Sequence, residues 1–353
     1  MKKIAIGLSG GVDSAVAAYI LKQNGYDVTG ITLRLKPESL ADGDISDAQR
    51  VADALGIELK VIDRREIFRK SVIEPFVSEY LAARTPNPCV ECNAAIKFGA
   101  MLDYALEIGC DGIATGHYAV IEEKNGRFLL RRSQSSKDQS YFLYRLNQFQ
   151  LSHSIFPLEG LEKSFIRQKA EEAGIHVAEK KDSQEICFVP DDDYIAYLSS
   201  LGITSPKGNF IDKEGNILGT HNGIINYTIG QRKGLGIALG EPMYVVRIDA
   251  EKNQVVLGRK EDLLTQTCYA RDLNMMKFPD FIDGQTVMAK VRYKSRPGLA
   301  HIYHVDESEV SNTQYCPPVL GGRAQRAEGV DNFIAEGSKT EDSSLLILSL
   351  KAQ

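Results

Sequence analysis

The sequence predicts an α/β protein whose first half is a mainly parallel sheet covered by helices, followed by a β-rich second half. Three observations carry this. Strands alternate with helical patterns from Lys3 to about Thr115, the signature of a parallel sheet covered on both faces. A glycine turn falls directly between the first strand and the first helix. Near Pro190 the pattern changes to glycine-bounded short strands, as in a small β-barrel or sandwich.

Lys3 to Leu8 reads as a short buried strand. A helical pattern runs from Asp13 to Asn24, with Val12, Val16, Ala17, Ile20 and Leu21 on its apolar side and Gly25 closing it. Asp27 to Leu33 is a second strand. Asp47 to Leu55 is helical, stopped by Gly56. Ile57 to Asp63 is a third strand and Arg65 to Tyr80 a longer helix. Phe98 to Ile108 is helical and Gly112 to Thr115 a strand. In the second half, Gln285 to Tyr293 and Ala300 to Val305 read as strands. The stretch from Phe333 onward is polar apart from one apolar run, Leu345 to Leu350.

At 353 residues the chain is expected to form two or three domains. A hydrophobic fraction of 43% and a charged fraction of 25% fit a soluble globular protein with a sizeable core. The net charge of -5 argues against a generic nucleic-acid binder but leaves room for a local basic groove. The N-terminus reaches glycines too soon for a secretory leader. No apolar run is long enough to span a bilayer, so a cytoplasmic protein without membrane partners is expected. Its cysteines, Cys89, Cys92, Cys110, Cys187, Cys268 and Cys316, are then expected as core thiols, metal ligands or catalytic thiols rather than disulfides.

The strongest motif is Ser9-Gly10-Gly11-Val12-Asp13-Ser14. At the carboxyl end of a parallel strand, backbone N–H groups and a helix N-terminus converge on an anion. Glycines let the backbone approach a phosphate, and Ser9 and Ser14 add hydroxyls. Asp13 fits beside a phosphate if it helps hold Mg²⁺. No Gly-Lys-Ser/Thr follows, so this is not a kinase-type loop. It is similar to the SGGxDS loop of the pyrophosphatase-type (PP-loop) ATP enzymes. A plain helix start capped by Asp and Ser is the bland alternative.

Two cysteine contexts stand out. In Thr85-Pro86-Asn87-Pro88-Cys89-Val90-Glu91-Cys92, the prolines make a rigid entry. Cys92 is expected just before a helix, where the dipole lowers a thiol pKa. Half a zinc site, a redox pair or packing remain open for this Cys-x-x-Cys. In Lys180-Lys181-Asp182-Ser183-Gln184-Glu185-Ile186-Cys187-Phe188, two lysines favour a thiolate or persulfide; packing by Ile186 and Phe188 is the alternative. The other cysteines read as structural.

In order along the chain, IGLSGGVDS, TPNPCVECNAAIKFG, ATGHY (Ala114 to Tyr118), KDQSYFLY (Lys137 to Tyr144), KKDSQEICF (Lys180 to Phe188), YTIGQRKGLGIA (Tyr227 to Ala238) and VRYKS (Val291 to Ser295) resemble the bacterial tRNA-specific 2-thiouridylase family. The resemblance covers roughly residues 1 to 305. It implies a PP-loop adenine-nucleotide-binding domain over 1–190, a central domain over 191–265 and a C-terminal β-barrel over 266–353. It implies ATP, with Mg²⁺, on Gly7, Leu8, Ser9, Gly10, Gly11, Val12, Asp13 and Ser14, with Leu33 and Gly116 on the adenine side. Cys92 matches the nucleophile. Cys187 matches the thiol that carries persulfide sulfur, and attack by Cys92 on that persulfide would either free sulfide or resolve the pair as a Cys92–Cys187 disulfide. His117, Lys137, Asp138, Gln139, Arg292 and Tyr293 match tRNA-contacting positions, and Arg232, Lys233, Lys294 and Arg296 would extend a basic groove. The implied reaction is adenylation of the wobble-uridine (U34) C2 oxygen, then sulfur transfer giving 2-thiouridine in the Lys, Glu and Gln acceptors. A sulfur carrier or desulfurase relay protein would supply the sulfur.

Two features depart from that family. Cys89 stands where many members carry Asp, so Cys89, Cys92 and Cys187 could instead hold a [4Fe–4S] cluster with one iron open. After about Val310 the family pattern stops, at Ser311 to Pro318 and beyond, and the barrel is expected to be incomplete. A non-catalytic tRNA-binding relic and another PP-loop ATP pyrophosphatase or ligase are the competing readings. The relic would keep the loop without turnover, and a ligase would not need Cys92 and Cys187.

Overall fold

The computed structural model describes residues 2–36, 38–175, 186–264, 267–270, 273–291, 293, 297–305 and 345–350, with backbone alone at 38–42, 267 and 345–350. The chain divides into two compact units, Met1–Glu74 with Pro88–Phe188, and Pro75–Asn87 with Val189–Gln353.

The first unit is built on β1 (Lys3–Gly7), β2 (Asp27–Arg34), β3 (Leu59–Asp63) and β4 (Gly112–Ala114). A hairpin of β5 (Ala119–Lys124) and β6 (Arg127–Arg132) follows, then the short β7 (Ser154–Ile155). Every pairing in the sheet β3-β2-β1-β4-β7 is parallel. β1 lies where the strand order reverses. Its Ile4, Ala5 and Ile6 are at most 2% exposed, as a central strand covered on both faces requires. α1 (Val12–Gln23) buries Val12, Ala15 to Ala18 and Leu21, and the helix Lys163–Glu172 packs on the same core through Ile166 and Ala170. Each fully buried Ile or Leu of this core contributes about 1.5–3 kcal/mol.

Several elements differ from the sequence expectation. α2 (Glu38–Leu55) begins nine residues before the expected start at Asp47, because Gly43 and the flanking Asp and Ser residues hide its helical period. Residues 65–81 form one helix, as expected, but with a π-helical segment at Arg69–Ile73. The expected helix from Phe98 begins ten residues earlier, at Pro88, and continues to Glu107 through a π-helical segment at Cys92–Ala100. Pro88 opens it because the first helical position needs no N–H. The β5–β6 hairpin turns on Asn125 and Gly126, both at positive φ (53° and 73°). Asn-Gly between two strands is a strong hairpin signal that the strand-and-helix pattern left unread.

The second unit holds β8 (Gly208–Ile211), β9 (Ile217–His221), β10 (Tyr244–Asp249) and β11 (Gln254–Gly258), in the order β10-β11-β8-β9 around Phe210, Val245, Val255 and Leu257. A helix the sequence pattern missed, Tyr194–Ser200, is capped by the Asp193 carboxylate, which accepts from the Ala196 N–H at 2.9 Å. Its Tyr194 ring stacks on Tyr80 with centroids 4.6 Å apart. A further antiparallel sheet, β12-β15-β14-β13, joins β12 (Thr267–Ala270), β13 (Gln285–Ala289), β14 (Gly298–Val305) and β15 (Leu345–Leu350). The isolated apolar run of the tail is therefore an inner strand. The divergent Ser311 to Pro318 lies outside the described residues. Cys268 is disulfide-bonded, where a structural core thiol was expected.

Candidate active site

The phosphate-loop candidate and Gly116 follow β1 and β4, neighbouring strands on either side of the point where the strand order reverses. Open α/β sheets bind ligands there, outside the carboxyl ends of the strands. Leu8 is pinned by its N–H, which donates to the Ile31 carbonyl at 2.8 Å, and by its carbonyl, which accepts from Thr32 Oγ1 at 2.9 Å. Gly10 has a φ of +69°, and a Cβ there would meet Asp47 Cβ at 2.4 Å. Ser14 closes the loop: its hydroxyl donates to the Gly11 carbonyl at 2.9 Å and lies 3.3 Å from both the Ser9 N and Oγ. Ser14 is thus turned inward, where a free hydroxyl donor was expected. No side chain caps the first turn of α1, so its N–H groups remain for an outside anion. That bare helix start and the glycine backbone fit a phosphate group.

Asp13 is held by two donors. Its Oδ1 accepts from the Tyr118 hydroxyl at 2.7 Å and from Lys163 Nζ at 2.8 Å. The Gly116 backbone presses on the same turn; a Cβ on it would lie 2.8 Å from the Asp13 carbonyl carbon and the Ser14 nitrogen. His117 pairs its Nδ1 with Thr115 Oγ1 at 2.7 Å, with the Phe98 and Phe156 rings about it. Burial, reinforced by the Lys97 charge, holds the imidazole pKa well below its usual value, so the ring is neutral at physiological pH.

The three thiols sit in one region of the first unit. Cys89 is exposed in the first turn of the helix that opens at Pro88, and Cys92 is buried in its next turn. Cys92 packs with Phe68, Val72 and Ile96, and Leu33 and Phe188 lie against that cluster. Phe188 meets the Phe68 ring edge-on at 5.5 Å, which brings the exposed Cys187 within electrostatic reach of Cys92. The expectation of a dipole-lowered Cys92 thiol is not met. Cys92 lies inside the helix, and burial pushes its thiol up to about 11, with Lys97 pulling the other way. Desolvation outweighs the helix dipole at this depth. Beside it, Asn93 donates from Nδ2 to the Phe142 carbonyl at 2.9 Å and keeps a buried Oδ1 without a donor. Glu91 is ion-paired with Arg145.

No group of three His, Cys, Asp or Glu among the described residues converges as metal ligands. Cys89, Cys92 and Cys187 have the ligand chemistry of a [4Fe–4S] cluster but are not placed together as the three-thiolate group that would hold one.

The remaining expected contacts are partly committed to the fold. Asp138 accepts from the Ser133 N–H at 3.0 Å, the Ser140 hydroxyl at 3.0 Å and Arg132 Nε at 3.2 Å. Gln139 Oε1 accepts from the Tyr118 N–H at 3.1 Å. Lys137 is half-buried, with its N–H on Ser135 Oγ at 3.3 Å. In the second unit Tyr293 is 40% exposed under the Lys290 ammonium, and Arg232 and Lys233 are exposed. Lys180, Lys181, Arg292, Lys294 and Arg296 lie outside the described residues. The sequence reading missed Lys97, Tyr118 and Lys163. The first two lie within quoted motifs, while Lys163 lies in none and only its position at a helix start marks it.

Known families and proteins resemble this chain over most of its length. The family model described as "tRNA methyl transferase HUP domain" matches residues 2–191, and "tRNA methyl transferase PRC-barrel domain" matches 196–259. The tRNA-specific 2-thiouridylase MnmA 2 of Clostridium botulinum is 47% identical over 321 residues, covering 88% of this chain and 90% of that one. MnmA 2 of Clostridium tetani matches at the same identity and coverage. Among solved structures, a U34-tRNA thiolase from Methanococcus maripaludis aligns over 57% of this chain and 66% of that one. At 20% identity and a TM-score of 0.35 it adds nothing to the assignment. An uncapped helix start at the sheet's reversal point and a buried thiol with a second, exposed thiol within its electrostatic reach thus occur in a chain whose relatives are close along nearly their full length, and the chain belongs to the tRNA-specific 2-thiouridylase family.

Proposed function

We propose that this protein is a tRNA-uridine 2-sulfurtransferase that consumes ATP and acts on the wobble uridine. The observation that carries the reading is the packing of Cys92, Phe188 and Leu33 in one apolar cluster of the unit that carries the phosphate-loop candidate. The backbone of Gly7 to Ser14 would hold the ATP phosphates, with Leu33 and Gly116 on the adenine side. Mg²⁺ on ATP would neutralise charge on the departing pyrophosphate.

The chemistry follows from the uridine C2 carbonyl, whose oxygen is a poor leaving group. Adenylation joins that oxygen to AMP and releases pyrophosphate. The outer sulfur of a Cys187 persulfide attacks C2, and AMP leaves with the oxygen. Cys92 then attacks the Cys187 sulfur. The sulfur–sulfur bond to the nucleoside breaks, leaving 2-thiouridine and a Cys92–Cys187 disulfide that an outside thiol must reduce. The base must be splayed from its loop to reach the site. His117, Lys137, Asp138, Gln139, Arg292 and Tyr293 are the proposed tRNA contacts. A carrier that donates persulfide sulfur is the second proposed partner, and tRNAs for Lys, Glu and Gln the substrates.

No helix among the described residues is long and apolar enough to cross a membrane. A cytoplasmic site of action accords with a tRNA substrate.

The test is incubation with ATP, Mg²⁺, unmodified tRNA and a persulfide donor, with 2-thiouridine read by mass spectrometry. Thiolation by iron-free protein, lost in Cys92→Ser and Cys187→Ser, is the expected result. Absence of both product and tRNA-dependent ATP–pyrophosphate exchange would overturn the reading in favour of a non-catalytic tRNA binder.

A further inference from the structure

We propose that Lys163 is a positioning residue of the nucleotide site: it neutralises Asp13 and holds that carboxylate away from the bound polyphosphate. The inference rests on the reading of residues 7–14 as the ATP phosphate loop. It adds a residue that lies 150 positions from Asp13 in sequence and outside every quoted motif.

The physical problem is the carboxylate itself. The bare first turn of α1 attracts an anion, and Asp13 stands in that turn. An uncompensated carboxylate there would repel the phosphates that the N–H groups attract. Lys163 Nζ lies 2.8 Å from Asp13 Oδ1, and the side chains are only 19% and 31% exposed, so water screens the pair weakly. Among the described residues, Lys163 is the one cation paired with Asp13. The Tyr118 hydroxyl, donating to the same oxygen at 2.7 Å, fixes the direction of the carboxylate.

Lys163 is well placed to do this. It is the first residue of a helix whose Ile166 and Ala170 are fully buried in the core cluster that holds Val12 and Ala15 to Ala18. The helix carrying the cation and the helix carrying the carboxylate therefore share one rigid core. Gly116, whose backbone abuts Asp13 and Ser14, closes the turn from another side.

The test measures equilibrium binding of Mg·ATP to the full chain by calorimetry, with the melting midpoint recorded for every variant. Lys163→Met is expected to weaken binding by about tenfold, and Lys163→Arg to stay near wild type. In an Asp13→Asn background, which removes the charge to be neutralised, Lys163→Met is expected to cost much less. A structural role alone would show the same loss in both backgrounds, and that result, or unchanged binding by Lys163→Met, overturns the proposal. Should Lys163→Met not fold, the double variant decides. ATP binding by it close to that of Asp13→Asn supports the proposal, and a large further loss overturns it. Should Asp13→Asn abolish binding by itself, the contrast between Arg and Met at 163 decides. Should both fail in these ways, Lys163→Arg decides alone: near wild-type binding supports the proposal and a loss of about tenfold overturns it. A wild-type chain that binds no ATP fails the loop reading instead, a distinct outcome.

Discussion

Lys97 follows Cys92 by five residues through a π-helical segment, and its charge is what opposes the burial of the Cys92 thiol. The i→i+5 repeat of such a segment brings residues at that spacing together, and π-helical turns often mark functional sites. Lys97 is half-buried and has no carboxylate partner among the described residues, so its field falls on the thiols and on His117. Lys97→Met is therefore expected to raise the Cys92 pKa. It should slow Cys92 alkylation at pH 8.5 by about tenfold, while Lys97→Arg keeps the wild-type rate. Mass-spectrometric alkylation kinetics check this, and equal rates in all three proteins would remove Lys97 from the account.

Cys92 and His117 also contribute to how stability depends on pH. The Cys92 thiol is raised by burial to about 11 in the folded chain against 9.0 for a free thiol. Between those values the unfolded chain has lost a proton that the folded chain keeps, so stability falls as pH rises through that window, by on the order of 2–3 kcal/mol. His117 is shifted the other way by burial. Below about pH 6.5 the unfolded chain binds a proton that the folded chain refuses, so stability also falls on the acid side. Urea unfolding at pH 5, 7.5 and 10 should give a maximum at the middle value. Cys92→Ala should lessen the alkaline slope, to which the Cys89 and Cys110 thiols, also raised by desolvation, contribute, and leave the acid one; an alkaline slope unchanged in Cys92→Ala would contradict the assignment.

Gly116 offers a test of close approach. A Cβ there meets backbone atoms of Asp13 and Ser14 at 2.8 Å, and backbone cannot swing aside as a flexible side chain does. Gly116→Ala should displace the first turn of α1, cost about 1–3 kcal/mol of stability and raise the KM for ATP. Gly126→Ala is the control. Its φ of +73° strains an alanine, but nothing lies within 4 Å, so stability should drop by about 1 kcal/mol with the KM for ATP unchanged. Steady-state pyrophosphate release separates the two, and an unaltered KM in Gly116→Ala would show that the loop tolerates the shift.

What could be read from the sequence was what is local. The Gly10-Gly11 turn between a strand and a helix needs only adjacent residues, and so was legible. The alternation of Asp27 to Leu33 and Ile57 to Asp63 with helices gave the parallel sheet for the same reason. The state of Cys92 was not legible, because it depends on Pro88 starting the helix early and on Phe68, Val72 and Ile96 closing over the thiol. The charge partner of Asp13 comes from Lys163, a contact that no spacing in the sequence encodes. Leu345 to Leu350 was visible as an apolar run, but not its place between β12 and β14, because the pairing joins strands distant in sequence.

The three thiols also make separable predictions. Cys92 is buried in the apolar cluster, and Cys187 is tied to it through Phe188, whereas Cys89 is exposed one turn earlier and outside that cluster. A persulfide relay needs two sulfurs that meet, one to carry and one to resolve. A cluster route needs three thiolates around iron. The described side chains provide no three-ligand group, so the relay predicts that Cys89→Ala keeps most thiolation while Cys92→Ser and Cys187→Ser lose it. Trapping should follow the same division. After a single turnover without reductant, non-reducing peptide mapping should recover a Cys92–Cys187 disulfide in wild type and in Cys89→Ala. If Cys89→Ala instead abolishes thiolation along with bound iron, the relay is wrong and all three thiols act together.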